Sequence, residues 1–255
     1  MSTDIGQLQV SLDQDHHFPK PVIARALAWL RLLFLIVGII LGLTVPILLS
    51  QQISYSIALA RETLPKMLII DNYDSFTYNL VQLFGVFQLS VIVRRSDLLS
   101  VEEAKAIDPQ YLVISPGPGR PSHAGNSIAL IRAFYCFIPV LGICLGMQCI
   151  NEVFGGITVP APEPVHGKTS LIRHTNRFLF DSLPSPLRVA RYHSLMSNQI
   201  SPELAVTAYG PDKVVMGLSH EKYPLHGVQF HPESFLTEFG MIMALSFLKL
   251  GPSRF

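Results

Sequence analysis

The segment Gly142-Ile143-Cys144-Leu145-Gly146 constrains this chain more than any other feature. An apolar run, Val140 to Ile143, leads into the cysteine, and a helical stretch from Met147 to Phe154, closed by Gly155-Gly156, leads out of it. Glycines on both sides of a nucleophile-type residue mark a sharp strand-to-helix turn. The central residue is forced into a strained backbone conformation, and side chains at the flanking positions would collide there. Cys144 then projects over a sheet edge at a helix N-terminus, where aligned N–H groups favour a thiolate. The N–H of Leu145 faces the oxyanion that forms when such a thiolate attacks an amide carbonyl. The competing reading, a buried structural cysteine, is the commonest fate of this residue type; it suits Cys136 and Cys149, which lack the turn.

The elements around this turn alternate. Met67 to Asp71 is an apolar run, and Asn72 to Phe84 follows with apolar residues at helical spacing. Leu89 to Val93 reads as a second strand, and Ser100 to Ile107 as a helix opened by Ser100, Glu102 and Glu103. Tyr111 to Ser115 is a third strand running into Pro116-Gly117-Pro118-Gly119, Ser127 to Phe137 a helix, and Val140 to Ile143 a fourth strand. This alternation predicts an α/β fold with a mostly parallel sheet and helices on both faces, its sites at the carboxyl ends of the strands. Beyond Gly156 the pattern changes to shorter β-like pieces, at Val189 to Tyr192, Ala205 to Tyr209, Val214 to Ser219 and Gly227 to Phe230, and Met241 to Leu250 closes the chain as a helix. The Pro-rich stretch Pro160 to Pro164 reads as a loop.

The first 66 residues are unlike the rest. Not one charged residue occurs from Leu32 to Ala60, and Leu32 to Leu49 is apolar enough to predict an N-terminal hydrophobic helix, about 26–49, able to span a bilayer. The Ala58-to-Ala60 triplet also leaves a cleavable signal open, and a misassigned start, with Met67 opening the domain, is the competing reading. The expected division is therefore an extension over 1–66 and a domain over 67–250. A net charge of +1 with 15% charged residues gives no basic surface for nucleic acid. Three clustered cysteines form no disulfide framework and no zinc-ligand spacing, so a reducing compartment fits best and neither metal nor cofactor is called for.

His231-Pro232-Glu233 supplies what a thiol nucleophile needs. Pro232 biases His231 to an extended backbone, in which residues two apart point to the same side, so the Glu233 carboxylate can hydrogen-bond the imidazole. That bond sets the tautomer and stabilises the charged ring, while the other ring nitrogen addresses a thiol. Alone, a histidine beside a glutamate would be a surface pair. Of the other histidines, His166, His193 and His226 are the ones that polar loop surroundings do not explain.

Taken in order, DNYDSFTYNLV (Asp71 to Val81), SPGPGRP (Ser115 to Pro121), GICLGMQ (Gly142 to Gln148), HGK (His166 to Lys168), RYHSL (Arg191 to Leu195) and GVQFHPES (Gly227 to Ser234) resemble the class I glutamine amidotransferases. Within them the resemblance is to the glutaminase subunits of anthranilate synthase and 4-amino-4-deoxychorismate synthase. The resemblance implies a flavodoxin-like domain in which Cys144, His231 and Glu233 form a triad. It also implies L-glutamine contacts at Gly117, Pro118, Gly119, Leu145, Gln148, Ser194 and Leu195. Met147 stands where the family often has His, and Arg120 where it often has Thr; neither belongs to the triad.

The function implied is release of ammonia from glutamine and its transfer to a separate chorismate-binding synthase subunit, in the tryptophan or folate pathway. A cytoplasmic location follows, with membrane anchoring left open by the N-terminal run. Two other readings compete: a cysteine hydrolase of another γ-glutamyl amide, and a non-catalytic, membrane-anchored binding protein on the same fold. HGK and RYHSL count against the first, and an intact triad against the second.

Overall fold

The computed structural model describes residues 28–40, 42, 45–46, 50–52 and 64–251. The chain divides into two units, Met1–Ala60 and Arg61–Phe255. In the first, residues 28–40 are helical with exposed side chains. Of the span expected at about 26–49, residues 26, 27, 41, 43, 44 and 47–49 lie outside the described residues. Among the described residues no helix is long and apolar enough to cross a membrane, so the expected hydrophobic span has no support.

The second unit is built on alternation. Strand β1 (Lys66–Asp71) is buried from Met67 onward, and successive side chains of a strand point to opposite faces. Met67 and Ile69 accordingly join one core with Leu80 and Phe84 of helix α1 (Thr77–Gly85) and Phe247 of the last helix, α5 (Gly240–Leu248). Leu68 and Ile70 join the other with Ala104 of α2 (Val101–Ile107), Leu130 and Ile131 of α3 (Ser127–Phe134), and Ile150 of α4 (Leu145–Val153). Helices thus cover both faces, as expected. Helix α2 starts where Ser100 and the acidic pair indicated: Ser100 accepts the Glu103 N–H, and the Glu103 carboxylate accepts the Ser100 N–H, a reciprocal cap.

Strands β2 (Ser90–Arg95), β3 (Tyr111–Ile114), β4 (Val140–Ile143), β5 (Ile157–His174), β6 (Leu187–Gln199), β7 (Leu204–Tyr209), β8 (Val215–His220) and β9 (Leu225–Val228) complete one sheet in the order β2-β1-β3-β4-β9-β8-β7-β5-β6. The five at one end are parallel, in the doubly wound arrangement. The four pairings beyond β9 are antiparallel, so the sheet is mixed and not mostly parallel. The physical reason lies in the connections. Only residues 210–214 separate β7 from β8, and only residues 221–224 separate β8 from β9, whereas a parallel crossover needs a dozen residues or more.

A second correction concerns Pro160 to Pro164, which lie inside the long strand β5 and not in a loop. Proline lacks the ladder N–H, and the β5–β6 register breaks between Pro160 and Val165, where that donor is not required.

Candidate active site

Because β1, β3, β4 and β9 run parallel, their carboxyl ends meet at one edge of the sheet, and each delivers a loop there. After β1, the Asp71 carboxylate accepts from the Tyr73 N–H and the Thr77 hydroxyl, both at 2.9 Å, and so shapes the turn into α1. Asn72 ties this loop to the one after β3. Its N–H donates to Ser115 Oγ at 2.9 Å and its side-chain amide to the Ser115 carbonyl at 3.0 Å, while its Oδ1 accepts from the Ser127 hydroxyl at 2.8 Å. The following loop packs so closely that a Cβ on Gly117 would lie 2.5 Å from Asn72 Cβ. The conspicuous Asp-Asn pair is thus architectural: it seats the Gly-Pro-Gly loop.

Cys144 has the strained backbone that its flanking glycines demand, with φ 52° and ψ −102°. A Cβ on Gly142 would lie 2.4 Å from the Gly146 carbonyl oxygen, and one on Gly146 would lie 2.4 Å from that of Ile114. The Cys144 N–H donates to the Val228 carbonyl at 2.8 Å, holding the turn against β9. Leu145 is the first residue of α4, so its N–H has no intrahelical acceptor.

His231 follows β9 and is anchored at both ends of its peptide unit. Its N–H donates to the Ala190 carbonyl at 3.1 Å, and its carbonyl accepts from the Thr237 hydroxyl at 2.6 Å. Its Nδ1 lies 2.7 Å from Glu233 Oε1, both side chains being buried. A carboxylate can only accept, so the proton of this bond sits on Nδ1. Phe76 and Tyr192 pack their rings on the imidazole, with centroids 5.2 and 5.0 Å away. Burial opposes the imidazolium, but interaction with Cys144 and then with Glu233 outweighs it and raises the His231 pKa to about 10. Nε2 carries no hydrogen bond of its own. A strained cysteine at a helix start and, at the same site, a buried imidazole with a carboxylate behind it are equipped for nucleophilic attack and proton transfer on an amide.

Residues 68–250 match the family described as glutamine amidotransferase class-I. The chain belongs to that family. It is 46% identical over 187 residues to anthranilate synthase component 2 of Thermus thermophilus, an alignment covering 72% of this chain and 92% of that protein. To the aminodeoxychorismate/anthranilate synthase component 2 of Bacillus subtilis it is 44% identical over 188 residues, 72% and 95% of the two chains. Among solved structures, a glutamine amidotransferase of Thermotoga maritima superposes with a TM-score of 0.54 at 18% identity, covering 66% of this chain and 76% of that one, a likeness of fold.

The remaining residues expected to contact glutamine in this amidotransferase lie on the loop beyond β3, on α4 and on β6. Gly117, Pro118 and Gly119 form the loop beyond β3, Gly119 with φ 78°. Gln148, one turn into α4, is buried and donates to the Leu195 carbonyl at 3.2 Å, which ties the β6 segment holding Ser194 and Leu195 to α4. Of the three unexplained histidines, His166 is exposed, its ring against Tyr192 at 5.4 Å. His193 and His226 are buried, with pKa values lowered to about 4, by burial and then Arg191 for His193, and by burial for His226.

One residue at the site escapes sequence reasoning. Gln229 donates to Cys144 Sγ at 3.4 Å. A usable signal existed, since Gln229 is two residues before His231 and in an extended chain shares its side.

Proposed function

We propose that this amidotransferase is the glutaminase subunit of a chorismate-using synthase, with residues 67–250 carrying the chemistry. Cys144 Sγ attacks the side-chain carboxamide carbon of L-glutamine, its proton passing to His231. The oxyanion is received by the Leu145 N–H and by a backbone N–H of the Gly117-Pro118-Gly119 loop, and Gln148, Ser194 and Leu195 bind the substrate. The C–N bond then breaks as the His231 proton goes to the departing ammonia, leaving a γ-glutamyl thioester on Cys144. A water molecule that gives its proton to His231 hydrolyses the thioester, and glutamate leaves with the thiol restored. Glu233 holds the imidazole in one tautomer and stabilises its charged form through both halves of the cycle.

The observation that carries this reading is the 2.7 Å Glu233–His231 bond behind an imidazole whose pKa the interaction with Cys144 raises. The names of the relatives support the further step, that ammonia passes to a chorismate-binding subunit for anthranilate or 4-amino-4-deoxychorismate synthesis. Cys144→Ala tests it. Glutamine hydrolysis and glutamine-dependent synthesis should be lost, while the synthase subunit continues to work on free ammonia, since only ammonia supply is removed. Glutaminase turnover retained in Cys144→Ala would reject the assignment.

A further inference from the structure

Gln229 is wholly buried and belongs to none of the three groups that move protons or bonds in the proposed reaction. Its side chain nevertheless bridges the nucleophile and the α4 helix: Nε2 donates to Cys144 Sγ at 3.4 Å, and Oε1 accepts from Gln148 Nε2 at 3.1 Å. A carboxamide can sit either way round, so the direction of donation needs a cause. That cause can be followed outward. The Arg191 guanidinium, ion-paired with Asp212 at 2.7 Å, can only donate, and it donates to His193 Nε2 at 3.0 Å. His193 Nε2 must therefore accept, which leaves the proton on Nδ1, 3.0 Å from the Leu195 carbonyl. That carbonyl, an obligate acceptor, also takes Gln148 Nε2 at 3.2 Å, so the amino end of Gln148 faces both Leu195 and Gln229. Gln229 must answer with its oxygen, and its own amino group is left facing the sulfur.

We propose that Gln229 is a positioning residue for this reaction: its N–H, aimed by Gln148 and ultimately by Arg191, holds the Cys144 sulfur in place and favours its anionic form. A donor that touches sulfur bonds a thiolate more strongly than a thiol. It therefore complements His231, which takes the proton, without competing for it. The inference rests on the reading of Cys144 as the nucleophile.

The test uses the full chain carrying Gln229→Met, which fills the site without a donor, or Gln229→Glu, which turns a carboxylate oxygen toward the sulfur. Iodoacetamide alkylation of Cys144 is followed from pH 5 to 9 by mass spectrometry of the Cys144 peptide, because the exposed Cys136 also reacts. Expected are a fall in alkylation rate at neutral pH of about tenfold or more, a profile displaced to higher pH, and a larger effect in Gln229→Glu. Glutaminase kcat should fall with KM for glutamine little changed. A purely structural role would leave the pH profile where it is. An unaltered rate and profile, read in whichever variant keeps the parent's circular-dichroism spectrum, would overturn the proposal. Turnover surviving in Cys144→Ala would instead remove the nucleophile reading and leave the alkylation result standing.

Discussion

Glu233 has one carboxylate oxygen committed to His231 Nδ1 and a side chain fully withdrawn from water. Gln in its place keeps the shape but removes the charge that stabilises the imidazolium. Glu233→Gln should therefore lower glutaminase kcat by at least about tenfold, less than His231→Ala does, in a protein whose circular-dichroism spectrum is unchanged. Steady-state assays check this, and undiminished turnover would mean that another group orients His231. At this scale the sequence was most readable where chemistry is local. The elbow and the His-Pro-Glu triplet each specify their geometry within five residues, so Cys144, His231 and Glu233 could be nominated without a fold. Gln229 could be placed on the same side as His231 by its spacing, but the direction of its amide could not, because that is set by Gln148, Leu195, His193 and Arg191, groups on other elements.

Elements are placed here by what they can approach. Helix α4 starts immediately after Cys144 and lies so near β3 that a Cβ on Gly146 would meet the Ile114 carbonyl oxygen at 2.4 Å, a backbone atom that cannot rotate away. Gly146→Ala should push α4 off β3, costing about 2–3 kcal/mol and displacing the N–H groups at its start. Urea unfolding measures the first effect and Cys144 alkylation the second; an unchanged unfolding midpoint would contradict the packing argument. The same scale explains what was misread. Strand β5 carries Pro160, Pro162 and Pro164, and proline argues against a strand unless the ladder is interrupted, as it is between Pro160 and Val165. That interruption is a property of pairing with β6, which no local pattern in 157–174 reveals. The short β-like pieces beyond Gly156 were legible as strands, but the antiparallel pairing of β7 with β8 and of β8 with β9 followed from connection lengths, not from their own residues.

At the scale of the whole molecule, buried histidines make stability depend on pH. His193 and His226 have folded pKa values of about 4 against an ordinary 6.5, so between these pH values the unfolded chain binds protons that the folded chain refuses. Their contribution is present above pH 6.5 and is lost as pH falls through about 4, by up to about 3 kcal/mol for each group. His231 is different, because its raised pKa depends on Cys144, and a proton that moves from the Cys144 thiol to the imidazole leaves the number bound to the pair unchanged. The acid limb therefore lies between about pH 4 and 6.5, and the urea unfolding midpoint should fall as pH is lowered through this window. His193→Gln and His226→Gln should each flatten this limb, and His231→Gln should leave it in place. Unfolding midpoints recorded from pH 4 to 8 for the parent and the three variants decide the matter. If the acid limb keeps its full slope in both His193→Gln and His226→Gln, the acid sensitivity comes from carboxylates and not from these neutral, buried rings.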